Sequence, residues 1–204
     1  VMDFIDGSNL YETKEEISES DIRFLSRQAS LINSIDLKPD FVYDSWAIIN
    51  FRKEFEKKSK FLSGDDLILI QPLVEEFENL NIDKLPHCFA HGDIINTNVM
   101  KDSNSNLFII DFSVSNYYPR VQELSVLACN LFFDPKSLEI SSNNLKIALD
   151  EYQKNIKLTE DELNILPTYI KLAHAMHLLS ANYEKVVENN DSDENEYWLN
   201  LGRT

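Results

Sequence analysis

Helical spacing runs along most of this sequence, and between residues 87 and 112 it stops. In that interval the chain breaks into short apolar pieces, CFAH, NVMK and LFIIDF, separated by turn-forming residues. DSNSN at 102–106 has the composition of a hairpin connection. The interruption requires a small β-hairpin set in helical surroundings, which makes the fold class α+β and mainly helical. Polar residues gather at the base of the hairpin, and nearly all the candidate chemistry lies there.

The flanking helices carry their own punctuation. ISESDIRFLSRQASLINSI places Ile22, Leu25, Ala29, Ile32 and Ile35 close to helical spacing, with Ser18 as N-cap and Asp21 three residues on. Residues 41–62 read as a second helix. Ser63 with Asp66 caps DDLILIQPLVEEFENL, which Pro72 should limit or kink. ELSVLACNLFF, NNLKIALDEYQKN and TEDELNILPTYIKLAHAMHLLSANYEKVV read as further helices, the last opened by a capping box of Thr159 and Glu162. Pro167 should bend that helix or divide it. ENNDSDENE at 188–196 reads as a solvated acidic loop, and EYWLNLGR as a terminal amphipathic turn or helix.

A length of 204 residues with 43% hydrophobic content supports one substantial core, or one large lobe with a small appendage. No apolar run approaches bilayer-spanning length, so no membrane partner is expected. The opening VMDFIDGSNLYETKEE is too acidic for a secretory signal. Cys88 and Cys129 make no disulfide framework, and a reduced, cytoplasmic protein is the simplest expectation. The net charge of −16 argues against nucleic acid, whose phosphates need Lys and Arg to neutralise them. It suits a cationic substrate, although acid concentrated in ETKEE and ENNDSDENE is better explained by solubility. Phosphate chemistry is compatible with this balance when a divalent metal offsets the local charge.

Phosphoryl transfer needs a carboxylate in a rigid loop to orient an acceptor hydroxyl, and hard oxygen ligands for divalent metal. HGDIINTNVM supplies His91, Asp93 and Asn98 in the pattern His-x-Asp-x(4)-Asn. Asp111 closes LFIID after the hairpin, and a tight hairpin brings its ends together. Asn98 and Asp111 can therefore face one metal site with Asp93 beside it.

These segments resemble the catalytic and metal loops of the aminoglycoside phosphotransferase and choline kinase family, relatives of the protein kinases. The shared pattern is His-Gly-Asp, four residues, Asn, a hairpin, Ile-Asp-Phe, and an acidic residue about a dozen positions later, here Glu123. The resemblance implies Asp93 as catalytic base, His91 holding the loop, Asn98 and Asp111 as metal ligands, and Glu123 as structural support. It implies ATP and Mg2+ as cofactors and a small-molecule acceptor. VMDFIDG resembles the linker between kinase lobes. Residues 1–10 would then be a linker remnant, with the backbone of Met2, Asp3 and Phe4 meeting adenine and Gly7 in the turn that follows. Residues 11–204 would be the C-terminal, catalytic and substrate-binding lobe of a protein kinase-like fold. Its partner, the N-terminal lobe with its phosphate-binding lysine and glycine loop, is expected elsewhere in the same protein. Glycine occurs only at 7, 64, 92 and 202, so no phosphate-covering glycine loop is available here. Two other activities fit the same motifs, a bacterial protein Ser/Thr kinase and a catalytically silent kinase-like binding module.

Other conspicuous residues have plainer readings beside the functional one. His87, Cys88 and His91 suggest zinc, yet no second cysteine pair exists and a structural role is favoured. His174 and His177, one helical turn apart, read as helix packing before metal ligation. Tyr43, Trp46, Tyr117, Tyr118 and Trp198 could cage a quaternary ammonium, and core or rim packing is the commoner use. Asn96 and Thr97 either touch the acceptor or serve the turn.

Overall fold

A computed structural model describes residues 4–204, and among these the protein is mainly helical with two small antiparallel sheets. Its contacts divide it into two compact units. One holds the chain up to Val42 together with His87–Leu158, the other Tyr43–Pro86 and Thr159–Thr204.

The first unit contains strands β1 (Gly7–Asn9), β2 (His87–Ala90), β3 (Val99–Asp102), β4 (Leu107–Ile109) and β5 (Asn116–Pro119). Its helices are α1 (Leu10–Thr13), α2 (Glu19–Ile32), α6 (Val121–Asn130) and α7 (Leu138–Tyr152). The expected cap opens α2. Ser18 Oγ accepts the Asp21 N–H at 3.2 Å, and the Asp21 carboxylate accepts the Ser18 N–H at 3.1 Å. Such a cap is worth about 1 kcal/mol. Helix α2 buries Ile22, Leu25, Ala29 and Ile32, and it packs against α6 and α7. Almost every residue of α6 is buried, which makes this helix the centre of the unit.

The expected hairpin is β3–β4, and Asp102 Oδ1 closes its connection by accepting the N–H groups of Asn104 and Asn106 at 2.9 and 2.8 Å. Strand β1 adds to it in the order β1-β3-β4, while β2 pairs with β5 in a second sheet. Gly7 does not occupy a turn. It lies in β1 opposite Asp102, where a Cβ would stand 2.4 Å from the Lys101 carbonyl oxygen. The glycine is needed for close backbone approach.

The second unit contains α3 (Phe51–Lys58), α4 (Gly64–Ile70), α5 (Pro72–Glu78), α8 (Glu160–Val187) and α9 (Asp193–Gly202). Residues 41–62 are not one helix. Asp44 accepts the Trp46 N–H at 2.8 Å and the Asn50 side chain donates to the Asp44 carbonyl at 2.7 Å, so local polar bonds replace the helical ladder until residue 48. Ser63 caps α4 as expected, and Pro72 stands in the first turn of α5, so the predicted helix is split there. Pro167 does not divide α8, which runs on for 28 residues. The acidic segment 188–196 is not all loop. Ser192 caps α9, and Asp193, Glu194 and Glu196 fill its first turn, where carboxylates complement the helix dipole. No helix of the described residues is long and apolar enough to cross a membrane.

Candidate active site

The site begins where β2 ends. His91, Gly92 and Asp93 turn the chain away from the sheet, and Gly92 takes a φ of 83°, a conformation that costs an L side chain. The turn is fastened to Glu123 in the first turn of α6. Its fully buried carboxylate accepts the His91 N–H at 2.7 Å and the Gly92 N–H at 3.1 Å. The Asn33 side-chain amide donates to the same carboxylate at 3.1 Å. Burial pushes the Glu123 carboxyl up to about 7, against the three N–H donors that favour its ionised form.

His91 is buried and uses both ring nitrogens. Nδ1 accepts the Asp93 N–H at 3.2 Å, which leaves Nε2 to donate to the Ile110 carbonyl at 3.0 Å. Burial lowers its pKa, so the ring is neutral, and it rests on Phe112 with centroids 4.4 Å apart. Both ring nitrogens are thus engaged within the protein, tying the turn to Ile110.

Asn98 ties the far end of the loop to Asp93. Its Nδ2 donates to Asp93 Oδ2 at 2.7 Å and to the Asp93 carbonyl at 3.0 Å. The Asn98 carbonyl accepts the Ile110 N–H at 3.0 Å, next to the paired Val99 and Ile109, so Asp111 follows directly on the residue bonded to Asn98. Asp111 has a φ of 64°, a left-handed conformation that aspartate tolerates better than most residues. Such backbone is held at a cost and is concentrated at functional sites. Its Oδ1 accepts the Ser113 N–H at 3.1 Å, and hydrogen bonding from the Ser113 side chain, together with this backbone bond, holds the exposed carboxyl below its usual range. The Asn98 and Asp111 donors suit a hard divalent cation. Asn98 spends its Nδ2 on Asp93 and keeps Oδ1 as an oxygen donor, and Asp111 adds an ionised carboxylate.

The remaining candidates separate. Met2 and Asp3 lie outside the described residues, and Phe4 is 91% exposed. The described residues contain no group of three or more His, Cys, Asp or Glu arranged to hold a metal ion. His87 stacks on Tyr117, and Cys88 is buried. His177 lies parallel to Trp198 with centroids 5.0 Å apart and meets Trp46 edge-on, while His174 Nδ1 meets the Leu201 carbonyl at 2.8 Å. Both histidines are packing residues, and burial takes His177 down to about 3. Tyr43 is engaged by Glu54 and Lys53, whereas Tyr117 and Tyr118 belong to β5 in the other unit. The five aromatics therefore do not converge within either unit. The Asn96 carbonyl accepts the Tyr11 N–H at 3.1 Å, which joins the loop to α1. Asn33 went unnoticed in the sequence, where an asparagine after a helical stretch signals only a helix end.

No family model matches this sequence, and no curated protein matches it. Solved structures do. Plasmodium vivax ethanolamine kinase superposes with a TM-score of 0.62 at 16% identity, over 98% of this chain and 61% of that one. Spectinomycin phosphotransferase in complex with ADP and spectinomycin gives 0.65 at 13% identity, over 97% and 65%. Amicoumacin kinase in complex with AMP-PNP and Ca2+ gives 0.59 at 16% identity, over 93% and 60%. The chain thus shares the fold of these kinases and spans about three-fifths of their length.

Proposed function

We propose that this chain carries the catalytic and substrate-binding part of an ATP-dependent phosphotransferase that moves the γ-phosphoryl group to a hydroxyl of a small molecule. One observation carries the reading. A strained turn places Asp93 between a buried carboxylate clamp at Glu123 and the amide of Asn98, and Asp111 stands beside the Asn98 strand end in a left-handed conformation. The fold shared with kinases solved with ADP and AMP-PNP supports it.

In this mechanism the Asp93 carboxylate, oriented by Asn98 Nδ2, accepts a hydrogen bond from the acceptor hydroxyl and takes up its proton as the new O–P bond forms. The bond from the γ-phosphorus to the bridging oxygen breaks in the same displacement, and ADP leaves with that electron pair. Asn98 Oδ1 and the Asp111 carboxylate would hold Mg2+, which when bound offsets the negative charge of the phosphates. His91 and Glu123 keep Asp93 at a fixed position and do not exchange protons with substrate. A net charge of −16 favours a cationic acceptor, and the ethanolamine and spectinomycin handled by the named structural neighbours make amino alcohols and aminoglycosides the first candidates.

Asp93→Asn tests the assignment. It keeps the size and the Asn98 contact while removing the proton acceptor, so turnover in the intact protein should fall by about 10²- to 10⁴-fold with the fold unchanged. Unchanged turnover would remove Asp93 from the mechanism. Phosphoserine or phosphothreonine on a protein, with no small-molecule acceptor found, would replace the acceptor class.

A further inference from the structure

Behind the turn lies a buried polar chain that runs back from Glu123 into the helical core. Asn33, at the C-terminal end of α2, is 5% exposed and has all its side-chain bonds inside the protein. Its Nδ2 donates to Glu123 Oε2 at 3.1 Å and to the Phe89 carbonyl at 3.1 Å. Its Oδ1 accepts the hydroxyl of Tyr152 at 2.7 Å. Tyr152 is the last residue of α7 and is fully buried.

These bonds fix the direction of the amide. An amide oxygen only accepts, so the Tyr152 hydroxyl must donate to it, and the amide nitrogen is thereby turned toward Phe89 and Glu123. Asn33 then holds the strand before the turn at residue 89. Through Glu123 it also acts on the two N–H groups, of His91 and Gly92, that immediately precede Asp93. Three helices, α2, α6 and α7, meet in this one network, and each supplies a member.

We propose that Asn33 and Tyr152 are positioning residues for the reaction, setting the placement of Asp93 through Glu123. The proposal rests on the phosphotransferase reading for its catalytic consequence and on the hydrogen-bond geometry for its structural one. Without the Tyr152 hydroxyl, Asn33 Oδ1 is left buried with no donor. The amide is then free to leave the orientation in which it serves Glu123, and the turn loosens. The effect falls first on the placement of Asp93, while the Asp111 carboxylate, held through Ser113, lies outside the network.

The test compares Tyr152→Phe with Asn144→Ala in the intact protein. Asn144 is on the same helix and donates to the Phe132 carbonyl at 3.1 Å, outside the network. Amide exchange at His91 and Gly92 should quicken by about tenfold in Tyr152→Phe, one decade for one lost buried bond, and stay at the wild-type rate in Asn144→Ala. With ATP and an acceptor, kcat should fall several-fold in Tyr152→Phe while KM for the nucleotide holds. Equal exchange in the two variants, or a wild-type rate at both amides, would overturn the relay. Quickened exchange with unchanged kcat would overturn its catalytic role. Quickened exchange in a protein whose wild type turns over no nucleotide would sustain the relay as a structural device and refute the phosphotransferase reading.

Discussion

Glu123→Gln separates the two forces acting on the clamp. Burial disfavours the charged carboxylate, whereas the N–H groups of His91, Gly92 and Asn33 favour it. The balance leaves the folded pKa at about 7 against an ordinary 4.5. Between those values the folded protein holds a proton that the unfolded chain has released. Stability contributed by this group is therefore present below pH 4.5 and lost as pH rises through 7. At 1.36 kcal/mol for each pH unit of displacement, the loss is about 3 kcal/mol. Glutamine cannot ionise, so it removes this slope. Buried histidines tilt the wild-type profile the other way: His177, lowered to about 3, stabilises above pH 6.5 and withdraws that contribution as pH falls toward 3. They are common to both proteins and cancel in the difference. Urea denaturation of wild type and Glu123→Gln at pH 5 and pH 8 should show the variant gaining about 2.5 kcal/mol on the wild type between the two, since pH 5 already lies above the unfolded value. The same variant should exchange the Gly92 amide faster, because its NH2 group must face one of the two backbone N–H donors. A difference that stays constant with pH, or that widens in favour of the wild type, would mean that the N–H donors outweigh burial and that Glu123 is ionised throughout.

Gly92→Ala should cost about 1–2 kcal/mol from backbone conformation alone, because a Cβ there meets nothing closer than the Tyr118 ring at 3.6 Å; an unchanged denaturation midpoint would contradict the left-handed turn. Gly7→Ala should separate β1 from β3, since its Cβ would stand 2.4 Å from a carbonyl oxygen. Fast amide exchange along residues 7–9 and a loss of about 1–3 kcal/mol are expected, and protected amides would refute the pairing. His177 should not titrate in NMR spectra between pH 5 and pH 8, as its burial beneath Trp46 and Trp198 keeps it neutral. A titration midpoint near 6.5 would show that the stack is open.

Local signals were legible wherever a short stretch decides its own structure. Ser18 with Asp21, Ser63 with Asp66, and Thr159 with Glu162 each cap the helix their spacing announces. The hairpin and its DSNSN connection are likewise local. Errors came where charge density or distant contacts overrode that reasoning. The acids after Ser192 look solvated, but placed just behind an N-cap they favour a helix start. Gly7 resembles a turn residue until Lys101, ninety-odd positions away, brings its carbonyl alongside. Asp44 and Asn50 undo a helix that hydropathy alone would draw through 41–62. At the site, the spacing of Asp93, Asn98 and Asp111 was visible because a hairpin fixes it. Asn33 and Tyr152 were not, since their bonds to the turn exist only after α2, α6 and α7 have packed.

Metal-dependent nucleotide binding by the intact protein tests the central claim most directly. ATP should bind in the presence of Mg2+ and lose most of its affinity without it, and Asp111→Ala should abolish the Mg2+ dependence while the fold persists. Equal ATP binding by both proteins with and without Mg2+, or no binding by the wild type under either condition, would contradict the assignment of Asn98 and Asp111 and with it the phosphotransferase reading.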